Sequence, residues 1–138
     1  MVHIVICDNK TCELSKILEG NKTMLIRGAD GRKPPHSRVF FDDELYFTEK
    51  GSQKITAKSK VLDVQNFVKL PNDEIDKILD DNEFKLSLTK EQKEKYHKRC
   101  LCLVEFGTIE KIEPITFVPS RPTEDWVLLD DIQALTTS

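Results

Sequence analysis

Hydrophobic positions along the chain fall first in an unbroken run, then at helical spacing, then in alternation. Residues 2–7, VHIVIC, form a short β-branched run that predicts a buried strand. Leu14, Ile17 and Leu18 then stand at i, i+3 and i+4, predicting a short helix that Asp8 or Asn9 caps and Gly20 ends. Residues 23–27, TMLIR, have strand propensity, while Gly28, Gly31 and the Pro34-Pro35 pair forbid regular structure up to about Ser37. Farther on, Leu45 and Phe47 alternate with Glu44, Tyr46 and Thr48. Ile55, Ala57, Ser59 and Val61 do the same with Thr56, Lys58 and Lys60, and residues 49–53, EKGSQ, read as the turn of a hairpin.

The period changes again over residues 71–99. Pro71 starts a helix carrying Ile75, Ile78 and Leu79, and a capping box from Thr89 to Gln92 starts another. The second helix has Glu91/Lys95 and Glu94/Lys98 pairs but few apolar residues, so it is expected at the surface. Strands return at 101–106 and 112–118, and a tail with Asp125, Trp126 and Val127 closes the chain. Strands without intervening crossover helices pair antiparallel, and closing the sheet removes its edges. The expected fold is therefore α+β: one domain over residues 1–138, built as a small, mostly antiparallel β-barrel with flanking helices and a helical insertion near 71–99.

Composition narrows the setting. A chain of 138 residues with 38% hydrophobic and 33% charged positions is ordinary for a soluble globular protein. No apolar run approaches the roughly 18 residues that span a bilayer. The opening run is only strand length and is followed by Asp8 and Lys10, so a signal peptide and a membrane partner are not expected and a cytoplasmic location is. Cys7, Cys12, Cys100 and Cys102 are spaced C-x4-C and C-x-C, which is not the C-x2-C knuckle common in zinc sites. Neither a metal nor a cofactor is expected, and the thiols read as small buried hydrophobes.

Charge is unevenly spread. The whole chain carries −3, yet residues 16–38 hold Lys16, Lys22, Arg27, Arg32, Lys33 and Arg38 against Glu19 and Asp30. The acidic balance lies in residues 105–138. A basic segment of this kind presents a local positive field to a phosphate-bearing partner.

Gly20-x-Lys22-Thr23-x-x-x-Arg27, preceded by a short helix and followed by a basic loop, leads into Arg38-Val39-x-x-x-Asp43-x-Leu45-Tyr46-Phe47. This arrangement resembles an ASCH domain, a family of PUA-like barrels with the signature G-x-K-x-x-E-x-R. Asp42-Asp43 stands where a GD-like turn is usual, and Asp125-Trp126 is similar to the close of a bacterial branch. The signature's acidic position is Leu25 here. The branch that hydrolyses acylated cytidine has a threonine there, so Leu25 supplies neither its hydroxyl nor a carboxylate.

The resemblance implies an RNA- or nucleotide-binding module with a basic cleft. Lys22, Arg27, Arg32, Lys33, His36 and Arg38 are the expected polar contacts, and Tyr46 and Trp126 the expected stacking surfaces. A hydrolase of a modified nucleoside is the alternative, with Lys22 as base and Thr23 or Ser37 as nucleophile. Thr23 would face away from Lys22 if the strand begins there. A ribonuclease using His36, Lys33 and Arg38 is a further alternative. Oligomeric state is left open by the sequence.

Overall fold

The computed structural model describes residues 1–31, 35–119, 121 and 125–132. Among them the chain runs β1 (Val2–Cys7), α1 (Glu13–Leu18), β2 (Met24–Ala29), β3 (Glu44–Glu49), β4 (Lys54–Phe67), α2 (Asn72–Asp81), α3 (Glu83–Leu86), α4 (Lys90–Lys95), β5 (Cys100–Phe106), β6 (Glu110–Thr116) and β7 (Trp126–Leu129). The strands form one mixed sheet in the order β2-β5-β4-β3-β1-β7, with β6 paired to β4 off this path.

β4 organises the sheet. Its first half pairs with β3 and β6, its second half with β5, and the register shifts between Val61 and Asp63 where the strand passes from one set of partners to the other. An irregularity of this kind bends a strand and increases its twist. The resulting curl brings β2 near β1 although they lie at distant places in the strand order, and Arg27 of β2 donates to the backbone carbonyl of Ile6 in β1 at 3.3 Å.

Inside the curl, Val5, Leu25, Leu45, Phe47, Val61, Val104 and Trp126 share one core with Ile17 of α1. A second core lies between Met24, Ile26, Leu101 and Leu103 of the sheet and Ile75, Leu79, Leu86 and Tyr96 of the helical segment. A third covers the other face of β1 and β3 with Ile4, Ile6, Tyr46 and Phe117. β1 is thus buried on both faces, which is why its apolar residues run without alternation.

The expected mixed α+β class is present, and the pairing is mostly antiparallel. β1 and β3 instead pair in parallel, because α1 and β2 intervene and return the chain in the same direction. The hydrogen-bonded path is open: among the described residues β2 and β7 end it without pairing to each other.

Local expectations differ in three places. Asp8 does not cap α1. Its carboxylate accepts from the Lys10 backbone and the Thr11 hydroxyl, closing a turn before the helix, and Cys12 takes the N-cap position with φ 57°. β2 continues through Gly28 to Ala29, opposite Leu101 and Cys100, where a loop was expected. Gly28 suits that strand because a Cβ there would lie 2.7 Å from Leu101 Cδ2. The polar second helix of the insertion is more than a surface element: Gln92 and Tyr96 are buried, and Leu86 just before it is fully covered. No helix among the described residues is long and apolar enough to cross a membrane.

Candidate functional site

Gly20, at φ 81°, lets the chain leave α1, and the backbone N–H groups of Asn21 and Lys22 both donate to Lys16 O. This tight exit turns the Lys22 side chain inward, where it is 1% exposed. Its ammonium donates to the backbone carbonyl of Leu86 and lies 4.0 Å from Glu13 Oε2. Leu25, the second residue of β2, fills the interior core, and Arg27 then brings a second buried cation to the same place.

Glu13, in the first turn of α1, is the carboxylate between them. Its Oε1 accepts from Arg27 Nη2 at 3.1 Å. Arg27 also donates through Nη1 to its own neighbour Ile26 O at 2.8 Å and through Nη2 to Ile6 O. The family signature's carboxylate is absent at Leu25, and Glu13 supplies one to the lysine and arginine from the preceding helix.

The surroundings set the protonation states. Burial pulls Lys22 down to about 8, with the nearby Arg27 charge adding to the fall and Glu13 opposing it. Burial alone would raise Glu13, but Arg27 and Lys22 together hold it below the usual carboxylate range. Burial works against the Arg27 charge too, yet Glu13 first, then Tyr96 and Asp125, keep it firmly protonated. Burial pushes the neighbouring Cys7 thiol far up, and Glu13 adds to this, so it is no nucleophile.

One donor of this cluster is left over. Among the described residues Arg27 Nε is buried with no hydrogen-bond acceptor; Asp125 Oδ2 lies within ion-pair distance at 3.4 Å but is not aligned to accept. Arg27, Gly28, Gly31, His36, Cys100 and Asp125 line a polar cavity of about 30 Å³ here. That space suits one water or one ligand oxygen. The Asp125 side chain is 48% exposed, so the cavity's anionic wall is also its solvent side.

A second buried chain of polar groups lies behind the guanidinium. Arg27 Cζ stands 5.8 Å from the Trp126 ring centre, and Trp126 Nε1 donates to His3 Nδ1 at 3.1 Å. Nδ1 must then be bare, so His3 carries its proton on Nε2 and donates to Asp43 Oδ2 at 2.9 Å. Burial lowers the His3 pKa, although Asp43 opposes the fall, and the ring is a neutral relay between an indole and a carboxylate.

The residues expected to line one entrance therefore divide. Lys22, Arg27 and Trp126 come together inside the molecule with Glu13. His36 lies beside them, its Nε2 donating to Phe67 O at 3.0 Å and its Nδ1 accepting from Ser37 Oγ at 2.8 Å. Arg38 is exposed beside a groove of about 710 Å³ shared with Met1, Phe40 and Leu128. Arg32 and Lys33 lie outside the described residues. Thr23 is exposed while Lys22 is buried, although both precede β2 and the tight exit from α1, not strand alternation, sets them apart. Tyr46 sits apart in the third core, and its hydroxyl donates to Glu44 Oε2 at 3.1 Å. Tyr46 is 6% and Trp126 7% exposed, so neither offers an open ring face.

Nothing in the sequence marked Glu13 or His3, and Asp43 and Asp125 stood out there only as parts of the resemblance, without a role at the site. A carboxylate in the first turn of a helix is usually explained by the helix dipole alone, and nothing in the spacing separates Glu13 from that ordinary case.

No protein-family description matches the sequence, and no curated protein does. Solved structures do match. The crystal structure of ASCH from Zymomonas mobilis superposes with a TM-score of 0.69 at 9% identity, covering 99% of this chain and 94% of that one. Its serine-to-alanine variant gives 0.70 at 10% identity, with the same two coverages. Its tyrosine-to-phenylalanine variant gives 0.70 at 10% identity over 99% of this chain and 96% of that one. At such identity the likeness speaks for the fold alone, but it spans nearly the whole of both chains: this chain has an ASCH-like fold.

Proposed function

We propose that the chain is one domain that binds RNA or a nucleotide, reading a ligand oxygen at the Arg27 cavity and phosphate charge at the 31–38 loop. Arg27 Nε carries this reading: a buried donor on a permanently charged group, with no hydrogen-bond acceptor among the described residues, in a side chain that lines a polar cavity. An unmade hydrogen bond of this kind costs about 1–3 kcal/mol, and a phosphate or base carbonyl oxygen would recover it. The half-exposed Asp125 occupies the anion's side of the cavity and gives way to the ligand. Arg38, with Arg32 and Lys33 of the same loop, meets the backbone charge. The curled sheet acts as a PUA-like barrel whose seam is joined by side chains, through Arg27 and Ile6 O, rather than by a strand ladder.

The test is a fluorescence-anisotropy titration of a labelled single-stranded eight-nucleotide RNA at several salt concentrations, with adenosine monophosphate as competitor. Asp125→Ala removes the competing carboxylate and is expected to tighten binding several-fold. Arg38→Ala is expected to weaken binding and reduce the salt slope by about 0.7. Absence of binding by the unmodified chain would overturn the reading, and so would an Asp125→Ala variant that binds no better.

A hydrolytic reading has one observation in its favour. Ser37 Oγ bonds to His36 Nδ1, and His36 Nε2 is fixed by Phe67 O, a nucleophile, base and orienting group in sequence. Ser37 is exposed and sits at φ 62°, an uncommon conformation for a side-chain-bearing residue. Lys22 supports this reading less, because its ammonium is engaged by Leu86 O and Thr23 points the other way.

A further inference from the structure

Residues 36–43 cross the surface with both ends pinned and the middle bare. Val39 is buried in the interior core, whereas Phe40 is 64% and Phe41 73% exposed. The turn that presents the two rings is held tightly. Phe40 N donates to Asp43 Oδ2 at 3.0 Å, Asp43 N to Phe40 O at 3.1 Å, and Asp42 N to Val61 O at 2.9 Å. Asp42 takes φ 68°, a costly conformation for a residue other than glycine. Asp43 is in turn fixed by the buried His3–Trp126 relay and the N-terminal ammonium. Two adjacent aromatic side chains are thus exposed on a rigid turn braced from within, where ordinary packing would have covered them.

We infer that Phe40 and Phe41 form a stacking platform for the unpaired bases of a single-stranded RNA, which extends from the proposed Arg27 site across this turn. The inference rests on the RNA-binding reading above and adds to it the place where bases are held. A groove of about 440 Å³ lies against both rings and is bordered by Ser37, Leu62, Asp63 and Asn66. Leu62 is 52% exposed and widens the apolar floor. Asn66 accepts from Ser37 N through Oδ1, which leaves its amide N–H groups for a base edge. On the other side of Phe40 runs the groove that contains Arg38.

Continuity favours RNA as the occupant. Ser37 bonds to His36, which lines the Arg27 cavity, so cavity, hydroxyl, guanidinium and rings follow one another within six residues. Acidic groups decide the orientation. Asp42 is paired with Lys60 at 3.8 Å; Asp63 borders the ring groove, and Asp130 and Asp131 border the other groove beside Arg38 and Met1. Among the described residues the ring groove has Asp63 and no cation in its lining, whereas Arg38 offsets the carboxylates of the other groove, so the backbone passes Arg38 and the bases face the rings. Stacking suits such a surface because it needs a π face and no net positive field.

The test uses the full chain and an eight-nucleotide adenosine RNA with one 2-aminopurine, whose fluorescence falls on stacking, and measures adenosine monophosphate binding in parallel. The Phe40→Leu/Phe41→Leu variant keeps apolar bulk and loses the rings, and it is expected to bind the RNA roughly tenfold or more weaker without quenching. The Phe40→Tyr/Phe41→Tyr variant is expected to restore both signals. Mononucleotide affinity and the thermal midpoint should be unchanged in either variant, since the rings are exposed. RNA binding by the leucine variant equal to that of the unmodified chain would overturn the platform, leave the RNA-binding reading standing and turn this face toward a protein partner. Failure of the unmodified chain to bind either ligand would overturn both.

Discussion

Glu13 lies between two buried cations, Arg27 at 3.1 Å and Lys22 at 4.0 Å, and each member of this group would be costly to bury without the others. Replacing Glu13 with Gln keeps the shape and removes the compensating charge, leaving a guanidinium and an ammonium facing each other. A loss of about 3–5 kcal/mol is expected in urea unfolding. A loss below about 1 kcal/mol would mean that the ammonium sheds its proton instead. Lys22 gives a separate prediction for alkaline pH. Its native pKa is about 8 and its unfolded value 10.5, so between these the unfolded chain binds more protons at Lys22 and this group's contribution to stability rises with pH, against the opposite contribution of the buried Cys7 and Cys102 thiols, whose pKa values burial raises. Lys22→Met should flatten that rise, measured as the thermal midpoint between pH 8 and 10.5. A slope unchanged by the substitution would show that another group titrates there.

At the scale of elements, the helical segment after β4 does two jobs. Ile75, Leu79 and Leu86 cover the outer face of β2 and β5, and the carbonyls of Leu86 and Ser87 receive the ammonium groups of Lys22 and Lys16. Leu86→Ala should cost about 2–5 kcal/mol, because the side chain is fully buried and the loss leaves a cavity beside the Lys22 ammonium. The outer face of the same segment is different. Lys93 pairs with Glu83 at 3.0 Å near the surface, so reversing Lys93 and Lys98 to Glu should leave RNA affinity nearly unchanged. A large fall in the anisotropy titration would move the binding face onto these helices.

For the whole molecule, the choice between binding and hydrolysis turns on Ser37. Its hydroxyl is hydrogen-bonded to His36, whereas Leu25, at the position where the resemblance places the threonine of the acylated-cytidine-hydrolysing branch, is sealed in the core. Incubation with an acylated cytidine is expected to give no turnover. Turnover abolished by Ser37→Ala, with labelling of Ser37 by a fluorophosphonate, would establish hydrolysis at the loop. Turnover dependent on Lys22 alone would instead require the buried cluster to open to substrate.

Strand and helix positions were legible because hydrophobic periodicity is a local property. The alternation at Leu45 to Phe47, the run VHIVIC and the capping box at Thr89 each act over a few residues and appear almost where they were expected. The basic character of residues 16–38 was equally plain in the sequence, but burial is decided by what packs above a side chain. Lys22 finds Leu86 O across 64 positions, and Trp126 finds His3 across 123. Such partners are distant in sequence and ordinary in composition, so no spacing rule marks them. Only the curl of the sheet decided that two of the expected surface cations would be enclosed with Glu13, and that Tyr46 and Trp126 would be covered while Phe40 and Phe41, like Phe84 of α3, stand in the open.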